Sequence, residues 1–197
     1  METRILAVFA ALVMSLPAYA QLDKITNQDA TSGLRAALEK GSAAAVDLLG
    51  KQDGFFSNQK VKIPLPESLA KAEKLMRGVG MGKYADELVL TMNRAAESAV
   101  PEAKKLLVDS VKKMSVQDAK GILTGGEDSA TQYFKRTTSD QLRTRFLPIV
   151  KKATAKVKLA EKYNQYAERG VKFGLVNKEQ ANLDNYVTEK ALDGLFL

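Results

Sequence analysis

The chain has 197 residues, of which 45% are hydrophobic and 27% charged, and 30 basic against 23 acidic residues give it a net charge of +7. It contains no Cys and no His, which excludes disulfides, metal sites built from thiolate or imidazole, and mechanisms that need a histidine base or a cysteine nucleophile. The apolar content is too high for a disordered chain. We therefore expect a fold held together by packing alone, and no cofactor.

The first 20 residues have the pattern of an export signal. A short, weakly basic start precedes an almost entirely apolar run of twelve residues from Ile5 to Leu16, and Pro17 leads to an Ala-Tyr-Ala sequence that ends at Ala20. A bilayer span needs about 20 apolar residues, whereas this order of segments is typical of a cleavable signal peptide. We expect cleavage before Gln21 and a periplasmic protein with no transmembrane segment in the mature chain. No Cys follows the small residues, so we expect no lipid anchor.

Residues 21–197 are predicted to form one helical domain, because apolar residues recur there at helical spacing. A first helix is predicted after Asn27 and ends at Gly50. The stretch from Gly50 to Pro66 lacks this spacing. Within it, Val61–Pro66 is predicted to be extended, since the residue before each proline is pushed out of the helical region. Pro66 then opens a second helix.

The second and third helices are separated by the glycine-rich stretch 78–82. The third helix is apolar around most of its circumference, so we place it at the centre of the domain. Its main apolar stripe is Tyr84, Leu88, Met92, Ala95 and Ala99. The residues that the second helix is predicted to turn inward are Leu69, Ala72 and Leu75.

Sequence signals for helix starts organise the remaining chain. A helix begins at Pro101, and Ser115 with Asp118 forms a capping box that begins a short one. Thr138 with Gln141 is a second capping box, predicted to begin a long helix, and a final helix covers Val187 onward. No convincing strand pattern appears. The predicted fold class is therefore all-α, a single compact multi-helix bundle with one extended loop segment.

Five strings in chain order carry a family resemblance. They are VKIPLPESL (61–69), LTMNRAAESAVPEAK (90–104), MSVQDAKGIL (114–123), SATQYFKRTTSDQL (129–142) and VTEKALDGLF (187–196). These strings resemble a bacterial exported family known as domain of unknown function 4197. The resemblance implies an all-helical envelope protein with no assigned activity or site residues. Family members run on into an acidic helical tail, so the end at Leu197 leaves open a truncated sequence or a shorter copy.

Most of the positive charge lies in one stretch. Residues 151–178 hold 8 basic and 2 acidic residues, so +6 of the net +7 is there. Lys151, Lys158, Lys162 and Arg169 recur at helical spacing opposite apolar residues, and we call them the basic face. It is either a surface for an anionic partner, namely a lipid, a glycan or an acidic protein, or an ordinary solvated helix surface. Nucleic acid would suit the charge, but the export signal argues against it as a partner.

Two polar clusters lie in apolar surroundings. Asn93, Arg94 and Glu97 fall on the predicted central helix. They form either a polar network that fixes helix register or the floor of a pocket in which Glu97 acts as an acid. Gln132 and Arg136, four residues apart on one helix face, are the candidate recognition surface.

Three functions stay open. The first is a non-enzymatic interaction or structural module of the cell envelope with a protein partner. The alternative is a binding protein for an anionic or lipidic ligand through the basic face. The third is a hydrolase that uses neither His nor Cys and relies on a carboxylate such as Glu97 or on a Ser–Lys pair. The sequence identifies no catalytic residue or metal ligand and does not indicate the oligomeric state.

Overall fold

The structure is a computed structural model, and it describes residues 27–157, 160–161, 163–164 and 182–197, with the backbone alone at 70–72. These residues form α-helices and turns and contain no β-strand, which confirms the all-α prediction. The predicted leader lies outside the described residues. So do Lys158, Lys162 and Arg169 of the basic face.

From Asn27 to Thr154 the helices follow one another with short connections, apart from one long loop. They are α1 (Asn27–Leu49), α2 (Glu67–Gly78), α3 (Gly82–Ala99), α4 (Ala103–Lys113), α5 (Val116–Thr124), α6 (Ser129–Thr154) and α7 (Leu183–Leu195), with a 3-10 turn at Val100–Glu102 between α3 and α4. The connection between α1 and α2, residues 50–66, contains several turns and ends in a stretch without helix or strand. We call it the long loop.

Helix α3 is central, as its apolar circumference predicts. It packs mainly against α6 and α7, while α1 covers α4 and α5. Leu88, Met92 and Ala95 are fully buried, and so are Ala96 and Ala99. The alanines let neighbouring helices approach α3 closely, because their side chains add little width.

The long loop lies against the bundle and is not a solvated connection. Phe55 is completely buried and Ile63 nearly so. On the α7 side, Gly194 makes this possible, since a Cβ built there would lie 2.7 Å from Cε1 of Phe55 and 3.1 Å from Cβ of Val61. The hydroxyl of Tyr186 donates to the carbonyl of Pro64 over 3.1 Å. The loop is therefore seated on both α3 and α7.

Three sequence predictions about the helices are wrong. Thr138 does not begin a helix, because α6 runs from Ser129 through it; its buried hydroxyl donates to the carbonyl of Phe134 within α6. Leu75 and Tyr84 were predicted to point inward but are exposed. The apolar stripes of α2 and α3 continue into the α2–α3 connection, where none of the described helices packs against them.

None of the described helices is long and apolar enough to cross a membrane.

Candidate functional site

Asn93 on α3 holds the second half of the long loop. It is fully buried. Its Oδ1 accepts from the Ile63 amide at 2.8 Å, and its Nδ2 donates to the Ile63 carbonyl at 2.9 Å. Nδ2 also donates to the carbonyl of Val89, one turn earlier on α3. A side-chain amide that pairs with both backbone groups of one residue takes the place of a neighbouring strand, so the extended loop segment needs no sheet.

Glu97, one turn further along α3, holds the first half of the loop. The residue is 4% exposed. Its Oε1 accepts from the backbone amides of Phe55 and Phe56, each at 3.0 Å, and its Oε2 accepts from Arg94 at 2.6 Å. A buried carboxylate is stable only when it is paired and hydrogen-bonded, and both of its oxygens meet that condition here.

Arg94 joins Glu97 to the surface of the loop. Its second nitrogen binds Asp53 at 2.8 Å, and Asp53 adopts a positive φ of 67° at the turn that brings its carboxylate there. The guanidinium also lies 5.7 Å from the ring centroid of Phe56. The hydrogen bond to Glu97, followed by that to Asp53, raises the pKa of Arg94 above its ordinary value. Arg94 therefore remains charged and forms an ion pair with the carboxylate of Glu97.

This arrangement bears on whether Glu97 acts as an acid. A depression of about 420 Å³ lies beside it, lined by Gly50, Gln52, Arg94, Glu97, Ser98 and Pro101. No second carboxylate is among these residues. Both oxygens of Glu97 are already occupied by the loop amides and Arg94. The geometry thus favours the network interpretation of Asn93, Arg94 and Glu97 over the pocket interpretation.

In contrast to these buried polar residues, the connection between α2 and α3 exposes apolar side chains to solvent. We call residues 74–84 the hairpin tip. Leu75 is 72% exposed, Val79 73%, Met81 46% and Tyr84 41%. The sequence does not reveal this site, because the apolar spacing of α2 and α3 continues into the tip and predicts burial. The only available signal was the glycine-rich composition, which marks a turn but says nothing about what surrounds it.

The backbone of the hairpin tip is fixed by a well-defined turn. The amide of Met81 donates to the carbonyl of Met76 at 2.7 Å, and the amide of Gly80 donates to that of Arg77 at 3.2 Å. Gly80 has φ 78°. These bonds are a Schellman motif, in which a glycine at the left-handed position closes the helix and the exposed carbonyls of its last turn are satisfied.

An ion-pair cluster centred on Arg77 ties the two arms of the hairpin together. Arg77 on α2 binds Glu73 at 2.9 Å and Asp86 on α3 at 2.6 Å. The hydrogen bond from Arg77 holds the pKa of Asp86 below its usual value. Both acids near the tip are therefore engaged with Arg77. Lys74 and Lys83 are exposed and make no ion pair with any described residue.

Gln132 and Arg136 do not converge on one site. Gln132 donates to Asp128 at 3.2 Å at the start of α6. Arg136 reaches α5 and binds Asp118 at 2.8 Å, with its guanidinium 5.5 Å from the ring centroid of Tyr133. Asp118 in turn forms the predicted capping box with Ser115. Both side chains are exposed and link neighbouring structure, and their role in recognition stays a prediction.

The basic face is described only at Lys151, which is exposed on the last turn of α6. The helical spacing from Lys151 to Lys158 is interrupted, because α6 ends at Thr154 and residues 155–157 are not helical. One continuous helix therefore does not carry the whole face. Whether it binds an anionic ligand stays a prediction.

Among the described residues, no group of three or more acidic side chains is placed to hold a metal ion.

A model of the family described as "Protein of unknown function (DUF4197)" matches residues 24–197. Neither the curated proteins nor the solved structures that were searched gave a match.

Proposed function

Since the chain belongs to the family described as "Protein of unknown function (DUF4197)", we propose that it is a non-enzymatic interaction module of the cell envelope. The observation that carries the proposal is the hairpin tip. Four apolar side chains within ten residues, from Leu75 to Tyr84, are exposed there to between 41% and 73%. Single exposed apolar residues are ordinary, but a cluster on a fixed turn is typical of a contact surface.

The buried polar residues also support this proposal, because they bind the long loop. Asn93 and Glu97 are both buried, and Glu97 is the carboxylate that the hydrolase hypothesis names. Their oxygens accept from backbone amides of the long loop, at 2.8 Å from Ile63 and 3.0 Å from Phe55 and Phe56. Both oxygens of the Glu97 carboxylate are engaged by the loop and by Arg94, which supports a role in holding the loop.

The interaction is tested in living cells with a photo-crosslinking amino acid. Placed at Val79, it is expected to give light-dependent adducts with another molecule of the envelope. Val116 on α5 is the matched control, since it is also a valine and is 65% exposed but lies outside the tip. Equal labelling at the two positions, or none at either, contradicts the proposal.

The envelope location depends on the leader and has its own test. We expect the protein in the periplasmic fraction, with an amino terminus at Gln21 when the purified protein is sequenced. Replacing Ala20 with a bulky residue should block processing at that site. Protein recovered from the cytoplasmic fraction with Met1 still in place contradicts this part of the proposal.

A further inference from the structure

We propose that the hairpin tip docks onto a membrane surface that carries anionic phospholipid headgroups. This inference rests on the proposed function and names the partner of the same surface. Leu75, Val79, Met81 and Tyr84 enter the boundary between headgroups and acyl chains, and Lys74 and Lys83 stay at the level of the phosphates.

The apolar part of the tip suits insertion because it lies at the end of a hairpin. Helix α2 packs mainly against α3, and the core resumes at Ala85 and Leu88, which are buried. The side chains of the tip are thus exposed, and a flat surface can contact them without displacing any of the described helices. Tyr84 adds an aromatic ring with a polar end, a side chain suited to the membrane–water interface.

The charge of the tip identifies the kind of membrane. Residues 74–84 contain Lys74, Arg77 and Lys83 and no acidic residue. The acids that flank the tip, Glu73 and Asp86, are both bound to Arg77. Glu87 is exposed one turn beyond Lys83, but neither lysine of the tip forms an ion pair with it or with any other described residue. The first turn of α3 also lacks an acidic residue and a side-chain cap, which leaves the positive end of its dipole at the tip. All of these features favour an anionic surface.

A membrane fits the size of the tip better than a protein partner does. A stable protein interface buries about 800 Å² on each partner, and four partly exposed side chains fall well short of that area. A lipid surface requires no matching shape, and its affinity comes from buried apolar area together with attraction to anionic headgroups. Anionic headgroups attract basic residues close to the surface, and salt weakens this attraction.

The Schellman turn preorganises the docking surface in the free protein. The 2.7 Å bond from Met81 to Met76 and the ion pairs of Arg77 hold the tip in one conformation. The apolar side chains are therefore exposed in the free protein, and little ordering entropy is lost on binding.

The absence of Trp from the chain allows a direct test of depth. The intact protein carrying Val79→Trp is mixed with vesicles of phosphatidylcholine alone or of phosphatidylcholine with phosphatidylglycerol. The fluorescence of the introduced indole is expected to shift to shorter wavelength only with the anionic vesicles. The same substitution at Val116 is the control and should show no shift. A shift at both positions, or at neither, overturns the proposal.

Affinity measurements separate the apolar and basic contributions. Val79→Asp is expected to weaken binding to the anionic vesicles about tenfold or more, while Val116→Asp leaves it unchanged. Lys74→Gln together with Lys83→Gln should weaken binding about 25-fold, given about fivefold for each lysine near an anionic surface. Lys120→Gln together with Lys135→Gln, two exposed lysines elsewhere, is the control for charge. Equal losses in test and control variants overturn the assignment, and circular dichroism confirms that each variant is folded.

The vesicle and crosslinking results together distinguish the two proposals. If the photo-crosslinker at Val79 labels a protein in cells and the fluorescence of the Val79→Trp variant does not respond to anionic vesicles, the lipid inference is wrong and the interaction module stands. The same holds if sedimentation shows that the chain associates with itself through the tip. If neither experiment responds, both proposals are wrong.

Discussion

The two ends of α3 differ in which kind of side chain is buried and which is exposed. At the carboxyl half, polar side chains are buried and fully hydrogen-bonded: Asn93 and Glu97 receive the amides of the long loop. At the amino end, apolar side chains are exposed around a turn whose own backbone is satisfied. Helix α3 thus has buried polar side chains in its carboxyl half and exposed apolar side chains at its amino end, the reverse of the usual distribution.

The two ends of α3 therefore differ in what they can offer a partner. A buried polar group with all its hydrogen bonds made contributes to the fold and has nothing left to offer a ligand. An exposed apolar cluster contributes little to the fold and gains free energy only when something covers it. Substitutions at the two ends should therefore separate stability from binding.

The largest effect on stability is expected at Glu97. In Glu97→Leu, the amides of Phe55 and Phe56 lose their acceptor and Arg94 loses a partner. The free energy of unfolding should fall by about 3 kcal/mol. The share from Arg94 is reduced by its partial exposure to solvent. Urea unfolding followed by circular dichroism measures the change.

Glu87→Leu is the matched control for Glu97, since Glu87 is an exposed glutamate on the same helix. Its effect should stay within about 0.5 kcal/mol. Similar urea midpoints for the two variants would show that the buried carboxylate does not hold the loop.

The second largest effect is expected at Asn93. Asn93→Leu leaves the amide and carbonyl of Ile63 without partners in the interior, and the free energy of unfolding should fall by about 2 kcal/mol. Hydrogen exchange at the Ile63 amide should also become faster. Asn185→Leu on the exposed side of α7 serves as the control. An Ile63 amide that stays protected in Asn93→Leu contradicts this account.

Local chemistry explains which parts of this fold the sequence predicts. The capping box of Ser115 and Asp118 was right because its partners are three residues apart. The same pattern at Thr138 was wrong, because buried residues on both sides, Phe134 and Leu142, keep α6 continuous across it. A cap signal is a weak preference, and burial of an apolar stripe outweighs it.

The candidate sites depend on contacts that no local pattern encodes. The sequence places Asn93 and Glu97 in apolar surroundings on the central helix, but their partners lie 30 and about 42 residues away in the long loop. The hairpin tip was missed for the converse reason. Leu75 and Tyr84 fit a buried helical stripe, and only the three-dimensional packing reveals that none of the described helices covers them.

A smaller effect is expected at the capping box, and it depends on pH. Hydrogen bonds from the side chain and backbone of Ser115, with Arg136 adding to them, lower the pKa of Asp118. A carboxylate with a lowered folded-state pKa stabilises the protein above its unfolded pKa of about 3.9, and this stabilisation is lost as the pH falls through the folded value. Asp118→Ala should therefore cost about 1 kcal/mol at neutral pH.

The cost of Asp118→Ala relative to the unsubstituted protein should shrink as the solution is acidified below pH ~4. Asp140→Ala, at a fully exposed acid, provides the comparison and should have a smaller effect at neutral pH. A difference for Asp118→Ala that is constant down to strongly acid solution contradicts the assignment of its stabilising effect to the carboxylate.

The smallest effect on stability is expected at the hairpin tip. Val79→Asp should change the free energy of unfolding by less than about 0.5 kcal/mol, because the side chain is already in solvent. The same variant should lose vesicle binding. A large loss of stability in Val79→Asp would show that the tip packs against the fold, and the contrast between the two ends of α3 would disappear.

The contact between Gly194 and Phe55 delays the packing of the long loop during folding, because it requires α7. The seat of the long loop includes α7, and the bond from Tyr186 to Pro64 joins residues 122 positions apart. Contacts this distant in sequence form late, since a large loop must close first. Residues 50–66 therefore reach their final packing only once α7 is in place. We expect their amides to be the last to gain protection from hydrogen exchange during refolding.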